Sequence, residues 1–410
     1  MTRNPGVPRL LRRLNDRSAL ELLLSEGPLT RAELGARTGL SKVTAGQLLS
    51  RLEERGLVEV AGERAGGRGP NAALYGVVPS SAHVAGLEVL PDAITVGVAD
   101  ITGRVVVEIV VDPAGHADPV AAVHEAVRRA CASADITISR LRSFVIGTRG
   151  VVDPGTGDVR FSYDLPAWHT GVLASLRRTL DASVTIENDV NLVALAEHRY
   201  GAAAGQDDFV VVWAGVGQGL GVMLGGRLHR GISGGAGEIG WLPVPGEPLP
   251  ADVSRPQSGS YQRLIGHDAV VRLAAEHALT SGVAADGASE AGAPLIGPLG
   301  GGPAGGSAAE LVGAAVAGGC GGFLDALAAR LAVAVAAVTV VLDPGLVVLA
   351  GDIGRAGGAE LAGRVEQAVA KVCPGRPSVV TTGLTGNPVL RGALVAALEQ
   401  AREQVFSDTV

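Results

Sequence analysis

Glycine-rich turns and isolated polar side chains between residues 207 and 245 have the types and spacing needed to bind a charged ligand. Two apolar runs, at residues 209–213 and 220–224, flank the turn Gly215-Val216-Gly217 and predict two strands joined by a glycine turn. Backbone N–H groups in such a turn can approach a phosphate closely, because glycine lacks a Cβ atom. Further on, Glu238 is the one carboxylate in a loop that is almost devoid of side chains.

A second polar pair, Asn188 and Asp189, lies between a strand-like run and a long helix predicted over residues 190–203. Asn and Asp are favoured at helix N-termini, where their side chains accept hydrogen bonds from unpaired backbone N–H groups. Taken by themselves, these two residues favour the helix-cap interpretation.

The helix predicted after Ser41 has residue types suited to reading DNA. Ala45, Leu48, Leu49 and Leu52 form its buried stripe, and Ser41 is a natural N-cap. On the opposite face, a Gln can pair with adenine, a Val can contact a thymine methyl group, and basic or hydroxyl side chains can hold phosphates. The predicted DNA-binding residues are Arg31, Ser41, Lys42, Val43, Thr44, Gln47, Arg51, Arg64 and Arg68.

The elements around this helix predict a winged helix-turn-helix over residues 1–79. Leucines define a first helix over residues 16–26, and Thr30 and Glu33 form a capping box for a second. Two strands and a glycine-arginine hairpin follow, in which Arg64 and Arg68 are placed to enter a minor groove. Arg9, Arg12 and Arg13 precede the first helix as a basic tail. A protein-interaction module with a solvated polar face is the alternative interpretation.

The bulk composition agrees with a two-part molecule of 410 residues. Residues 1–75 hold twelve Lys or Arg and eight Asp or Glu, whereas the remainder holds 22 Lys or Arg and 33 Asp or Glu. A polyanion is therefore expected to bind the basic N-terminal segment. The three cysteines are far apart and predict neither a disulfide framework nor a cysteine zinc site. The apolar run 331–342 is too short to span a bilayer, and the N-terminus lacks an apolar core of signal-peptide length, so we expect a cytoplasmic protein with no membrane partner.

Residues 80–410 predict an α/β body of two lobes. Three strands between residues 83 and 111 form a meander, alternating helices and strands follow, and a second meander spans residues 209–244. We expect one lobe at about 80–205, joined by the C-terminal helix, and a second at about 206–390. A ligand is expected in the cleft between them.

Several segments in order resemble the ROK family (repressors, open reading frames and sugar kinases). The resemblance covers nearly the whole chain and implies a winged helix-turn-helix joined to an actin-like, sugar-kinase-like (ribonuclease H-like) body. The matching segments are Gly147-Thr-Arg-Gly-Val-Val-Asp153, Leu165-Pro-Ala-Trp168, Glu187-Asn-Asp-Val-Asn191, Gly234-Gly-Ala-Gly-Glu-Ile-Gly240 and the late strand over residues 346–351. In this family, the resemblance implies, Asn188 and Asp189 bind sugar hydroxyls, Asp189 is the general base of the kinases, and Glu238 accepts hydrogen bonds from the same sugar.

The chain departs from the kinase and zinc patterns of that family. Where its kinases have Asp-x-Gly-Gly-Thr-Lys, this chain has Glu88-Val-Leu-Pro91-Asp92, and proline cannot donate an N–H group. Trp241 replaces the zinc-binding histidine, and residues 242–260 contain no cysteine. We therefore predict no enzymatic activity, no metal and no cofactor.

The predicted effector-binding residues are Arg149, Gly150, Asn188, Asp189, Glu238 and Trp241. Trp241 either stacks on a sugar face or fills the space left by the zinc site. Arg149 either favours an acidic or phosphorylated ligand or forms a surface salt bridge. The leading hypothesis is a repressor, a homodimer or homotetramer, that binds a double-stranded DNA operator and a sugar or sugar-phosphate effector. The alternatives are a regulator with a vestigial cleft and, third, an active sugar kinase.

Overall fold

The structure, a computed structural model, describes residues 7–65, 71–114, 118–162, 171–180, 182–253, 255–279 and 307–407. Two predicted features lie outside these ranges, namely Arg68 at the tip of the wing and the motif at 165–168. Within the described ranges the chain forms a small head with a three-stranded sheet, followed by a body with two five-stranded sheets.

The head is a winged helix-turn-helix, as predicted. Its elements are α1 (Val7–Glu26), β1 (Leu29–Thr30), α2 (Arg31–Thr38), α3 (Lys42–Glu54), β2 (Val58–Arg64) and β3 (Ala72–Val77), and its sheet has the order β1-β3-β2. The capping box at Thr30 and Glu33 is present, and the Ser41 side chain caps α3 by accepting a hydrogen bond from the Thr44 N–H group. Short polar side chains therefore fix where both helices of the motif begin.

The first helix begins earlier than predicted. α1 starts at Val7, so Arg12 and Arg13 are helical and the prediction of a tail was wrong. Leu10, Leu11 and Leu14 are 56%, 54% and 51% exposed, so no buried stripe marks these turns in the sequence. Arg and Leu both have high helix propensity, which favours continuing the helix backwards from its buried half.

Lobe 1 of the body is built on a mixed sheet of order β10-β7-β4-β5-β6. Its elements are β4 (His83–Val89), β5 (Ile94–Asp100), β6 (Val105–Val111), α4 (Pro119–Ser133), β7 (Leu141–Thr148), the small strands β8 (Val151–Val152) and β9 (Val159–Phe161), α5 (Val172–Leu180), β10 (Ser183–Asn188) and α6 (Asp189–Tyr200). The meander β4-β5-β6 is antiparallel, whereas β7 pairs in parallel with both β4 and β10. The parallel strands β7 and β10 therefore both end beside the polar segment at residues 187–189.

Lobe 2 repeats this plan with the sheet order β13-β12-β11-β14-β15. Its elements are β11 (Phe209–Ala214), β12 (Gln218–Leu224), β13 (Arg227–Leu228), α7 (Gln262–Ile265), α8 (His267–Glu276), α9 (Ala308–Ala317), α10 (Gly321–Leu342), β14 (Leu346–Ala350), α11 (Gly351–Val372) and β15 (Ser378–Thr381). β11 and β12 form the predicted antiparallel pair around the glycine turn. By length and composition α10 is apolar enough to cross a membrane, and half of its most apolar window is buried in the protein.

The last helix, α12 (Pro388–Ser407), packs on lobe 1 as predicted and also reaches the head. It lies so close to β4 that a Cβ atom added to Gly86 would be 2.9 Å from the Leu394 side chain. At its far end Phe406 is buried in one apolar cluster with leucines of the head, and Arg55 donates a hydrogen bond to the Val405 carbonyl at 2.8 Å. One helix thus connects the sheet of lobe 1 with the C-terminal end of α3.

Candidate DNA-binding surface and interlobe ligand site

The face of α3 that points away from the core carries the predicted base-reading side chains. Lys42, Val43 and Gln47 are all exposed, and Val43 is 70% exposed although it is apolar. Ala45, Leu48, Leu49 and Leu52 are buried on the other face, which fixes the rotation of the helix. The Ser41 hydroxyl lies 2.8 Å from that of Thr44, so these two polar groups interact at the N-terminus of α3. An exposed Gln, Val and Lys on one helical face have the chemistry of a major-groove reader.

The predicted DNA-binding arginines divide into different environments. Arg51 donates a hydrogen bond at 2.7 Å to Asp16, whose side chain is fully buried, so its guanidinium ties α3 to α1. This ion pair gives Arg51 a structural role, and its role as a phosphate ligand stays a prediction. Arg64 on the wing pairs with Glu33 of α2, and both side chains are substantially exposed. Arg31 is exposed and extends along α3 beside Gly46.

The Asn188 side chain joins two segments of lobe 1. Its Oδ1 atom accepts a hydrogen bond from the Asn191 N–H group at 3.1 Å, which makes it the N-cap of α6. Its Nδ2 atom donates to the Gly150 carbonyl at 3.1 Å. Gly150 has a φ of +103°, and an added Cβ atom would lie 2.1 Å from the Phe161 carbonyl oxygen, so a side chain is excluded there. The helix-cap interpretation of Asn188 is therefore correct, and the cap also positions the Gly150 turn.

Two carboxylates from different lobes approach each other at this point. Asp189 begins α6 in lobe 1, and its Oδ1 atom accepts a hydrogen bond from the Val190 N–H group at 2.9 Å. Glu238 lies in the glycine-rich loop of lobe 2, where burial, and after it the negative charge of Asp189, raises the pKa of its carboxyl to about 7. A carboxyl with this pKa is part neutral at neutral pH and can then donate as well as accept a hydrogen bond.

The glycine-rich loop of lobe 2 packs its backbone directly on lobe 1. Gly234 has a φ of +80°, and a Cβ atom there would lie 1.8 Å from the Val152 carbonyl oxygen. Arg230, four residues earlier, donates a hydrogen bond at 2.6 Å to Glu187, which is buried at the end of β10. No residue pattern predicts this ion pair between the lobes, although Glu187 belongs to the Glu187-Asn-Asp-Val-Asn191 motif.

Trp241 forms an aromatic contact between the lobes. Its ring lies edge-on to Phe161 of β9, with centroids 6.1 Å apart, and its buried Nε1 atom has no hydrogen-bond partner among the residues that the structure describes. The indole occupies the place of the family's zinc-binding histidine, and residues 242–260 contain no cysteine, so the residues here do not fit a zinc site. The contact favours the space-filling role of Trp241, while its N–H group keeps one unused donor.

Arg149 lies near a half-buried acid at the end of β4. Partial burial raises the pKa of Glu88, which also accepts a hydrogen bond from Asn387, and the positive charge of Arg149 acts in the opposite direction. A half-buried carboxyl paired with an amide, followed by Pro91 in place of a phosphate-binding glycine, does not fit a magnesium-nucleotide site. Asn387 and Phe161 are contact residues that the sequence analysis did not identify, because both lie far along the chain from their partners.

Comparisons with known proteins agree with this architecture. Residues 84–400 match the ROK family, and residues 13–69 match the MarR family. The chain is 24% identical over 243 residues to the DNA-binding transcriptional dual regulator NagC of Escherichia coli (strain K12), covering 58% of this chain and 59% of that protein. It is 26% identical over 250 residues to the xylose repressor of Bacillus subtilis (strain 168), covering 57% and 61%.

Among solved structures, a ROK family transcriptional regulator, a homologue of the E. coli MLC protein, matches with a TM-score of 0.72 at 18% identity, over 97% of this chain and all of that one. This likeness shows that the fold extends through both head and body. The alignments to the curated relatives cover about 60% of their length. Because the family match spans most of the 410 residues, the chain belongs to the ROK family.

Proposed function

We propose that this protein is a DNA-binding transcriptional regulator of the repressor type, controlled by a sugar or sugar derivative. The observation that carries the proposal is the face of α3, where Lys42, Val43 and Gln47 are exposed together on a helix that Ser41 caps. The protein would act in the cytoplasm as a homodimer or homotetramer, because a symmetric operator needs two heads at a fixed half-site spacing. Several curated relatives are named as repressors, which supports the same proposal.

Selection of bound duplexes from a random DNA library tests the first half of the proposal. A recovered consensus with two half-sites supports it, and equal recovery of all sequences contradicts it. Gln47→Ala should relax preference at one base position, whereas Lys42→Ala should weaken binding to all sequences and reduce its salt dependence. Arg227→Ala, an exposed change on β13 of lobe 2, is the control that should leave both properties unchanged.

The interlobe site supports a hydroxyl-rich effector. Asp189 and Glu238 supply carboxyl groups from opposite lobes, and the Trp241 Nε1 atom is a buried donor that no described residue pairs with. Sugar hydroxyls both donate and accept hydrogen bonds, so they match this mixture of groups. A ligand held by both lobes favours their closed arrangement and thereby changes the relative placement of the two heads.

A thermal-shift screen of sugars and sugar phosphates tests the effector. A ligand that binds only the folded protein raises its melting temperature, and Asn188→Ala and Glu238→Ala should abolish the shift. If no sugar stabilises the protein, it is an effector-independent regulator with a vestigial cleft. If a sugar stabilises both variants as much as the wild type, the proposed site is wrong.

The structure gives little support to kinase activity, although solved relatives include a ROK hexokinase. Glu88 is half-buried and paired with Asn387, and Pro91 interrupts the first phosphate-binding segment. ATP hydrolysis in the presence of mixed hexoses should therefore stay at background. Turnover that Asp189→Asn abolishes would show that the protein is a kinase.

A further inference from the structure

A cavity of about 450 Å³ lies at the junction between the head and the body. Its head side is formed by Arg55, Leu57 and Val78, and its body side includes Arg140 and Arg142. Small-molecule sites typically enclose about 300–1,000 Å³, so the volume suits a ligand of metabolite size. The cavity is separate from the interlobe site, since none of the predicted effector residues lines it.

The lining of this cavity is strongly cationic. Among the residues that the structure describes, the lining contains three arginines and no aspartate or glutamate. Arg140 and Arg142 are both exposed, and neither takes part in an ion pair with any residue that the structure describes. Burial lowers the pKa of the neighbouring His83 imidazole, and the charge of Arg140 lowers it further, against the opposite effect of Asp100. Arg140 and Arg142 therefore bring two positive charges to one cavity wall, and like charges repel each other unless an anion lies between them.

A hydroxyl group adds a neutral donor to the same cavity. The Ser81 Oγ atom is buried and has no hydrogen-bond partner within the described part of the chain. Ser81 ends the short 3-10 turn Pro79–Ser81 that joins β3 of the head to β4 of the body. A buried hydroxyl without a partner is costly, and an anionic oxygen in the cavity would satisfy it.

We propose that this junction cavity binds a small, multiply charged anion of the phosphate or polycarboxylate class. DNA is not the ligand, because Arg55 follows the C-terminus of α3, about 20 Å along the helix axis from Lys42 at about 1.5 Å per residue. Arginine is the residue best suited to bidentate pairing with phosphate and carboxylate oxygens. Since the arginines belong to both parts of the molecule, a bound anion holds the head in one position on the body.

Calorimetric titration of the full-length protein with inorganic pyrophosphate and, separately, with citrate tests the site. Each titration is carried out at constant ionic strength. We expect saturable binding of at least one anion, and binding of only one of the two identifies the chemical class. Failure of both to bind overturns the proposal. The outcome is independent of the DNA-binding and sugar-binding proposals, because neither DNA nor sugar is present.

The double variant Arg140→Ala/Arg142→Ala locates the binding. Both side chains are exposed, so the fold should persist, and the affinity should fall at least about tenfold as charge-assisted bonds are lost. The control, Arg227→Ala/Lys371→Ala, removes two exposed charges from lobe 2 and should leave the affinity unchanged. Equal weakening in both variants shows a nonspecific charge effect and overturns the proposal. If the double variant is unstable, Ser81→Ala should still weaken binding, and unchanged affinity there contradicts the site.

Discussion

Glu187 at the end of β10 and Arg230 in the loop after β13 form an ion pair between the two lobes, with Arg230 Nε 2.6 Å from Glu187 Oε2. The other carboxylate oxygen accepts hydrogen bonds from the Asn188 N–H group at 3.0 Å and the Asn191 side chain at 2.9 Å. One buried carboxylate therefore connects the polar motif of lobe 1 with the loop that carries Glu238. The two halves of the candidate effector site depend on each other through this contact.

Arg230→Ala should loosen this loop without unfolding the protein. The buried carboxylate keeps two of its three partners, and Arg230 is itself 43% exposed on its side chain, so we expect a stability loss of only about 1 kcal/mol. Hydrogen exchange should accelerate in residues 229–241 and stay unchanged in α10. Arg227→Ala, an exposed change in the adjoining strand, is the matched control. Unchanged exchange in the loop would show that the ion pair does not hold it.

Gly234→Ala should damage the contact between the lobes, whereas Gly235→Ala should be tolerated. At Gly234 an added Cβ atom meets the Val152 carbonyl oxygen at 1.8 Å in a backbone conformation with positive φ. At Gly235 the nearest atom is the Ser233 hydroxyl at 3.4 Å, an ordinary contact. Melting temperatures and any sugar-dependent stabilisation distinguish the two variants. Equal behaviour of the two would contradict the close approach of the loop to lobe 1.

The features that the sequence predicted correctly are local ones. The Thr30–Glu33 capping box, the Ser41 cap and the glycine turn between β11 and β12 depend on residues a few positions apart, so residue type and spacing are sufficient. The fold of the body came from several motifs in the order of a known family.

Contacts between distant segments could not be predicted in this way. Arg51 and Asp16 are 35 residues apart, and Trp241 contacts Phe161 across the lobes, so only the folded chain brings them together. Arg51 has the residue type and helical position of a phosphate ligand, and its pairing with the buried acid on α1 is visible only in the folded chain. The early start of α1 was missed because its first leucines are exposed and do not mark a buried stripe.

Removing Arg51 should destabilise the protein more than neutralising its partner Asp16. Arg51→Ala leaves a fully buried carboxylate without its cation and should cost about 3 kcal/mol of stability, whereas Asp16→Asn leaves an arginine that reaches solvent and should cost about 1 kcal/mol. Urea unfolding monitored by circular dichroism measures both stability losses. Lys42→Ala, on the exposed face of the same helix, should leave the urea midpoint of unfolding unchanged. Equal losses for the two pair variants would mean that Asp16 is not buried as a charged group.

Glu238 should make stability depend on pH between about 4.5 and 7. Its carboxyl is ordinarily ionised above about 4.5, but burial and the charge of Asp189 raise its pKa to about 7 in the folded protein. The folded state therefore binds more protons than the unfolded state in this window, and the contribution of Glu238 to stability is present at low pH and lost as pH rises. Glu238→Gln mimics the neutral carboxyl and removes this dependence.

The melting temperature of Glu238→Gln should therefore match that of the wild type near pH 4.5 and exceed it at pH 8. The corresponding difference in the free energy of unfolding at pH 8 is at most about 3 kcal/mol. Asp189→Asn should reduce the difference between Glu238 variants at pH 8, because it removes the neighbouring negative charge but leaves the burial. Differential scanning calorimetry across this range gives both comparisons. If the difference in melting temperature between wild type and Glu238→Gln stays constant from pH 4.5 to 8, Glu238 is hydrated and titrates normally. In that case it would not be the buried proton donor and acceptor that the proposed sugar site requires.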